Sequence, residues 1–271
     1  MKRRKIWLAL GVLLVLLLAG ILGRHSLYCL YRDISFGWAE RTPAEMEVKA
    51  FAESRGISYG RYPQELIDLY GRNPETRDFV LNYPFREEGA VDLSGFSRDT
   101  VPLFLQYDPM WGYARYGSSV IAVTGCGPTC LAMAGYYLTG DAGFNPLDVA
   151  RFAWKNGYYA SGYGSSWTLI SQGAEDLGLT VTELPLVKKK ITNALEEGCP
   201  VILALGPGDF TSSGHYIVLS GMEGGLFRVN DPNSRENSGR LWSYEALEPQ
   251  IRNIWRLDKP SFPGYNTPAT T

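Results

Sequence analysis

Histidine is scarce in this chain, which has only two among its 271 residues, His25 and His215. His25 follows an apolar N-terminal run, so chemistry that needs an imidazole in the rest of the chain has to use His215. Cysteine is also sparse, with four residues and no Cys-x-x-Cys pair. Because clusters of these two residue types hold zinc and related metals, we expect neither a metal site nor a cofactor.

An excess of positive charge is absent outside the N-terminus. Four of the 26 basic residues lie at positions 2–5, which leaves 22 basic against 28 acidic residues for the rest of the chain. Proteins that bind nucleic acid need a basic surface. The acidic balance therefore excludes nucleic acid as the main partner.

Charge is missing altogether from Ile6 to Gly23, a run rich in leucine and valine. As a helix these 18 residues would rise about 27 Å, close to the thickness of the hydrocarbon core of a membrane. We predict a signal-anchor, or transmembrane segment, over residues 1–23, with the rest of the protein outside the cell membrane. The alternative is a cleaved signal peptide, which would leave the protein secreted.

The remaining chain divides by its pattern into three parts. Residues 24–100 are predicted to form an extracytoplasmic linker with two short helices opened by proline, Pro63–Tyr70 and Pro74–Leu81. A main domain is predicted over residues 101–257, and the tail over 258–271, rich in proline, glycine and threonine, is predicted to be disordered.

Within the main domain, helix signals come first and short β-branched segments follow, which favours an α+β fold with an antiparallel sheet. The predicted helices are Pro128–Leu138, Pro146–Asn156, Ser166–Leu177 and Lys190–Glu197. The predicted strands are Pro200–Leu205, His215–Gly221, Leu226–Asp231 and Ile251–Leu257.

Cys126 lies in the segment Gly-Cys-Gly-Pro-Thr-Cys over residues 125–130, immediately before a predicted helix. Exposed amides and the dipole at a helix start favour an anion, and the thiolate is the nucleophilic form of cysteine. Attack on a carbonyl would leave an oxyanion close to the same amides. We therefore predict Cys126 as a nucleophile and Cys130, one turn later, as a core residue.

His215 begins a predicted strand, and the hairpin that follows offers it a carboxylate. If the turn over residues 222–225 is centred on Glu223, His215 lies directly opposite Asp231 across the strand pair. A carboxylate there would hold one imidazole nitrogen and orient the other toward a thiol. A register shifted by one residue would offer Asn230 instead, so both partners remain open.

Gln106 lies 20 residues before Cys126, and its side-chain amide could donate a hydrogen bond to a developing oxyanion. Two further segments are candidate walls of a cleft, residues 165–167 and the glycine-flanked loop over residues 206–214, because loops often carry recognition.

The order of these features resembles the papain-like cysteine peptidases that process double-glycine leaders of bacteriocins. The features are Gln106, Gly-Cys-Gly-Pro-Thr-Cys, Gly-His-Tyr-Ile-Val-Leu and Asn-Asp-Pro-Asn. The chain is more similar still to stand-alone relatives of that family in Gram-positive bacteria, which lack the transporter. The resemblance covers roughly Val101–Leu257 and implies a papain-like α+β fold. It also implies that Cys126 is the nucleophile, His215 the general base, Asp231 its orienting acid and Gln106 the oxyanion donor.

Together these features predict a membrane-anchored, extracytoplasmic cysteine peptidase. Its substrate would be a peptide or protein, with cell-wall peptides among the candidates, and the bond cut would be a peptide or isopeptide bond. Acyl transfer is a related alternative, because an amine could replace water with the same residues. A non-catalytic module that binds peptides or cell wall on a peptidase-like fold is the hypothesis from another class, and thiol reactivity separates it from an enzyme.

Overall fold

The computed structural model describes residues 20, 23–38, 40–87, 89–162 and 164–259. The chain divides into two compact units, Met1–Phe85 and Arg86–Thr271. Nearly all of the predicted anchor (1–23) and of the predicted tail (258–271) lies outside the described residues. Among the helices that the described residues form, none is both long enough and apolar enough to cross a membrane.

The first unit is helical. Its helices are α1, described over residues 23–35, α2 (Pro43–Ser54), α3 (Gln64–Arg72) and α4 (Arg77–Asn82). The last two lie in the proline-opened segments that the sequence predicts, whereas α2 is not predicted. A capping box starts α2, because Thr42 and Glu45 each accept a hydrogen bond from the other's backbone amide. α2 packs against both α3 and α4.

The second unit is an α+β domain with an antiparallel sheet, which confirms the predicted fold class. Its helices are α5 (Ile121–Thr124), α6 (Cys126–Thr139), α7 (Pro146–Lys155), α8 (Gln172–Asp176), α9 (Lys188–Glu196), α10 (Arg235–Ser238) and α11 (Tyr244–Leu247). Its strands are β1 (Arg115–Tyr116), β2 (Ser119–Val120), β3 (Tyr159–Ala160), β4 (Gly164–Ser165), β5 (Thr180–Glu183), β6 (Val201–Leu205), β7 (His215–Glu223), β8 (Leu226–Asn230), β9 (Leu241–Trp242) and β10 (Ile251–Asp258).

One six-stranded antiparallel sheet, in the order β5-β10-β6-β7-β8-β9, forms the middle layer of this unit. Strand β6 is buried at every position, because its two faces are both covered, and it therefore reads as a continuous apolar run. One face of the sheet contributes to the core around α6 through Ile202, Ala204, Tyr216, Val218, Trp255 and Leu257. The other face shares a second core with α9 through Val201, Leu203, Leu205, Ile217, Leu219, Ile191 and Ala194.

Helix α6 is the central helix of the domain and packs against β7. It begins at Cys126, two residues before the predicted start, and ends at Gly140, which adopts the left-handed conformation with φ 74°. Leu131 and Met133 are fully buried on it, and truncating either to alanine would cost about 2–5 kcal/mol. The helix thus holds its first residue on a rigid support.

Candidate active site

Cys126 is the first residue of α6, and the chain reaches it through a tight turn after α5. Gly125 makes this turn, and a side chain there would come within 2.5 Å of the carbonyl oxygen of Ile121. The first amides of a helix have no acceptor inside it, so the N–H groups of Cys126 and Gly127 remain available at the helix start. The thiol therefore lies at the positive end of the helix dipole.

His215 is the first residue of β7, and Asp231 directly follows β8. Both side chains are buried, and Nε2 of His215 lies 2.7 Å from Oδ1 of Asp231. Because the carboxylate engages Nε2, Nδ1 is the ring nitrogen left for Cys126, which contributes to the raised pKa of the imidazole. The structure thus brings His215 into contact with Asp231 and places Cys126 near enough to the imidazole to affect its pKa.

Opposing influences act on the proton of His215. Burial by itself would lower the pKa of His215, but the Asp231 carboxylate, with further help from the Cys126 thiol, raises it to about 10. The imidazole is therefore protonated at neutral pH.

The hairpin register differs from the predicted one. Glu223 pairs with Leu226 through a two-residue turn, because Gly224 and Gly225 both adopt positive φ, 58° and 81°. The predicted turn is centred on Glu223 instead, so the predicted direct opposition of His215 and Asp231 is wrong.

A β-bulge at Ser220 places His215 and Asp231 on the same face of the sheet. The register shifts between Leu219 and Gly221, so Ser220 is an extra residue on β7. If the two strands paired regularly from the tight turn onward, with no bulge, His215 would lie on the same face of the sheet as Asn230. With it, Asp231 becomes the diagonal neighbour of His215 on one face, within reach of an imidazole.

Asn230, the alternative partner of His215, is engaged elsewhere. Its Nδ2 donates to the carbonyl oxygens of Val101 and Pro102, at 2.9 and 3.0 Å. Its Oδ1 accepts from the hydroxyl of Ser220 at 3.2 Å. Asn230 therefore anchors the segment that enters the domain, and Asp231 is the residue that contacts the imidazole.

Two more groups hold the carboxylate of Asp231. The backbone N–H of Asn233 donates to Oδ1, and the side-chain amide of Asn237 donates to Oδ2, both at 2.8 Å. The backbone N–H of Asp231 in turn donates to the hydroxyl of Ser238 at 2.9 Å. Asn237 is not predicted from the sequence, because no local pattern marks it and the folded loop alone brings it to Asp231.

Gln106 is 4 % exposed and is tied to the two segments that carry the other site residues. Its Nε2 donates to the carbonyl oxygen of Ala122, four residues before Cys126, and its backbone N–H donates to that of Pro232, both at 2.7 Å. Nε2 carries a second hydrogen beyond the bond to Ala122. Oε1 is buried and has no hydrogen-bond partner among the described residues.

The segment 165–167 packs against the start of α6. A side chain on Gly127 would come within 2.7 Å of Oγ of Ser165, so only glycine fits at that contact. The same Oγ shares a 2.7 Å hydrogen bond with the hydroxyl of Tyr116. Trp167 follows two residues later and is half exposed, so this predicted wall presents a large aromatic surface next to the helix that carries Cys126.

The loop over residues 206–214 is fastened to the rest of the domain at two points. Oδ2 of Asp209 accepts from Nε2 of Gln250 at 2.7 Å, and Oε1 of Gln250 accepts from the backbone of Asp209 at 2.6 Å. The ring of Phe210 lies 4.3 Å from that of Trp242, centroid to centroid. These contacts fix the segment that leads directly into His215.

The other cysteines of this unit differ from Cys126. Cys130 is fully buried in the core, as predicted, and burial raises its pKa well above the usual range. Burial and a 2.9 Å contact with Asp258 raise the pKa of Cys199 to about 11. All four cysteines of the chain are free thiols. In the part of the chain that the structure describes, no cluster of metal-ligating side chains is present.

Comparison with known proteins gives one family match. Residues 98–261 match the model of the Peptidase_C39 like family. One similar solved structure is the peptidase domain of Streptococcus ComA, a bifunctional ABC transporter involved in a quorum-sensing pathway. It is 18 % identical to this chain with a TM-score of 0.38, and the match covers 50 % of this chain and 92 % of that domain. A C39-like peptidase from Bacillus anthracis is 15 % identical, with TM-score 0.36, covering 62 % of this chain and 98 % of that one. No curated protein matches the chain.

Proposed function

This chain belongs to the Peptidase_C39 like family, and we propose on that basis that it is a cysteine peptidase that hydrolyses a peptide or isopeptide bond. Cys126 is the nucleophile, His215 the general acid and base, Asp231 the carboxylate that orients His215, and Gln106 a donor to the oxyanion. The observation that carries the proposal is the 2.7 Å contact of Nε2 of His215 with buried Asp231, which leaves Nδ1 for Cys126.

The reaction begins from the thiolate of Cys126 and the imidazolium of His215. Sγ attacks the carbonyl carbon, a C–S bond forms, and the carbonyl electron pair moves to oxygen. The N–H of Cys126 and the free hydrogen on Nε2 of Gln106 stabilise this oxyanion. When the intermediate collapses, the C–N bond breaks and the leaving amine takes the proton from Nδ1 of His215.

Hydrolysis of the thioester completes the cycle. Neutral His215 removes a proton from water, the hydroxide attacks the thioester carbon, and Sγ of Cys126 leaves as the thiolate. Asp231 holds the imidazole through Nε2 in both protonation states. An amine in place of water would give acyl transfer, so a product assay distinguishes the two outcomes.

The location we propose is outside the cell membrane, with the apolar run Ile6–Gly23 as a single-pass anchor. Four basic residues at positions 2–5 would stay on the cytoplasmic side, which supports this orientation. Cleavage of the run would release a secreted enzyme instead. N-terminal sequencing of the protein from membrane and medium fractions separates these outcomes.

The first test is alkylation of the full chain with iodoacetamide at pH 7, with labelled cysteines identified by mass spectrometry. We expect rapid labelling of Cys126, slowed about tenfold or more by His215→Ala, because the imidazolium stabilises the thiolate. Cys130 and Cys199 are internal controls, since their raised pKa values keep them protonated. Slow labelling of Cys126 that is indifferent to His215 would refute the proposal and favour a non-catalytic peptide-binding module.

A further inference from the structure

We propose that Asn237 is a positioning residue that fixes the carboxylate plane of Asp231 and, through it, the imidazole of His215. This proposal rests on the proposed peptidase function for its effect on reactivity. The contact that motivates it is the 2.8 Å hydrogen bond from Nδ2 of Asn237 to Oδ2 of Asp231.

The two oxygens of Asp231 have different partners. Oδ1 accepts from Nε2 of His215 at 2.7 Å and from the backbone N–H of Asn233 at 2.8 Å, while Oδ2 accepts from Asn237. Rotation of a carboxylate about χ2 is soft, so one hydrogen-bonded oxygen does not by itself fix the plane. A donor on the second oxygen does, and it keeps Oδ1 aimed at the imidazole.

The amide of Asn237 compensates a buried charge. Asp231 is 1 % exposed, and a buried charged acceptor that loses its donor is costly to leave unsatisfied. Removing the amide therefore favours a rotated or displaced carboxylate over one that remains in place. Either movement loosens the hold on Nε2 of His215 and frees the imidazole to turn away from Cys126.

Asn237 is itself held from two sides. Its backbone N–H donates to the hydroxyl of Ser234 at 3.1 Å, which caps the single turn α10. Its backbone carbonyl oxygen accepts from the indole N–H of Trp242 at 3.0 Å. Because Trp242 belongs to β9 and packs against Phe210, the sheet and the loop before His215 support Asn237 from outside the Asp231 turn.

The scarcity of histidine makes a direct experiment possible. In the full chain with His25→Gln, histidine labelled with nitrogen-15 reports His215 alone, and its Nε2–H signal monitors the bond to Asp231. We expect Asn237→Ala to broaden or abolish this signal. In the same variant, alkylation of Cys126 by iodoacetamide at pH 7 should slow by roughly tenfold or more, as expected for loss of a hydrogen bond to a charged group.

Asn145→Ala is the matched control. Asn145 is 3 % exposed and caps α7 through a 2.9 Å bond to the amide of Asp148, so its loss perturbs a buried asparagine cap elsewhere in the domain. We expect it to leave the His215 signal and Cys126 labelling unchanged. If Asn237→Ala does not fold, Asn237→Leu keeps roughly the size of the side chain, removes its donor, and should have the same two effects.

An unchanged Nε2–H signal and unchanged labelling in folded Asn237 variants would overturn the proposal, as would equal losses in Asn145→Ala. The magnetic resonance readout does not depend on catalysis. If Cys126 of the unsubstituted chain is slow to react and indifferent to His215, the peptidase function fails, while the His215 signal still decides whether Asn237 positions Asp231.

Discussion

Cys126 and Cys199 lie in the same unit, and their surroundings differ in the sign of the nearest charge. Cys126 begins a helix and contributes to the raised pKa of the His215 imidazole, which is protonated at neutral pH. Cys199 follows a helix, and its Sγ lies 2.9 Å from the carboxylate of Asp258. Under the proposed function, burial and the charge beside the sulfur atom together separate the nucleophile from an unreactive cysteine.

The largest expected effect comes from replacing Cys126 with alanine, compared with the same replacement of Cys199. Cys126→Ala removes the nucleophile, and we expect the rate of hydrolysis to fall on the order of 10⁴-fold or more. Cys199→Ala is the matched control and should retain nearly the full rate. The measurement is the appearance of new peptide N-termini, by mass spectrometry, when the full chain acts on a mixed peptide digest. Equal activity of the two variants would contradict the assignment.

A smaller effect is expected from Gln106→Ala, which removes an oxyanion donor. We expect kcat to fall about 10²–10³-fold, while iodoacetamide should label Cys126 at the original rate because alkylation forms no oxyanion. Gln172→Ala, at an exposed glutamine on α8, is the control. Loss of labelling together with activity would show instead that Gln106 acts by holding the fold around Ala122 and Pro232.

The smallest expected effect comes from removing the negative charge beside Cys199. Burial is the main cause of the raised pKa of Cys199, and the hydrogen bond and charge of Asp258 add to it. Asp258→Asn should therefore lower this pKa from about 11 and increase iodoacetamide labelling of Cys199 a few-fold at pH 9. Labelling of Cys126 in the same sample should not change. A labelling rate of Cys199 that stays constant would mean that burial alone controls it.

Four of the six strands of the main sheet (β6, β7, β8 and β10) and α6 could be predicted because their signals are local. The apolar run of β6 and the glycine that ends α6, Gly140, are visible in sequence. Helix α2 is not predicted although Thr42 and Glu45 form a capping box. Both edge strands are also not predicted, because half of the residues of β5 are exposed polar ones and β9 is only two residues long. The start of α6 at Cys126 was placed late because Gly125 and Gly127 resemble a loop.

The candidate site residues could be predicted from their chemistry and spacing, whereas their relative geometry could not. Cys126 and His215 could be singled out because few residues of their types are present. The register that brings Asp231 to His215 depends on a tight turn and a bulge, and both are decided by backbone packing. Asn237 was not predicted, because its role arises from the folded turn after Asp231 and from Trp242 of a neighbouring strand.

The bulge at Ser220 also bears on how related sequences should be aligned. Because β7 carries one residue more than β8 can pair with, a relative with a hairpin one residue shorter could close the bulge into a regular ladder. Its histidine and aspartate would still share a face. A single-residue gap between His215 and the Gly224-Gly225 turn is therefore no sign that a relative has lost the histidine–aspartate pair. A turn shorter by one residue, with the bulge kept, would instead place Asn230 where Asp231 now lies.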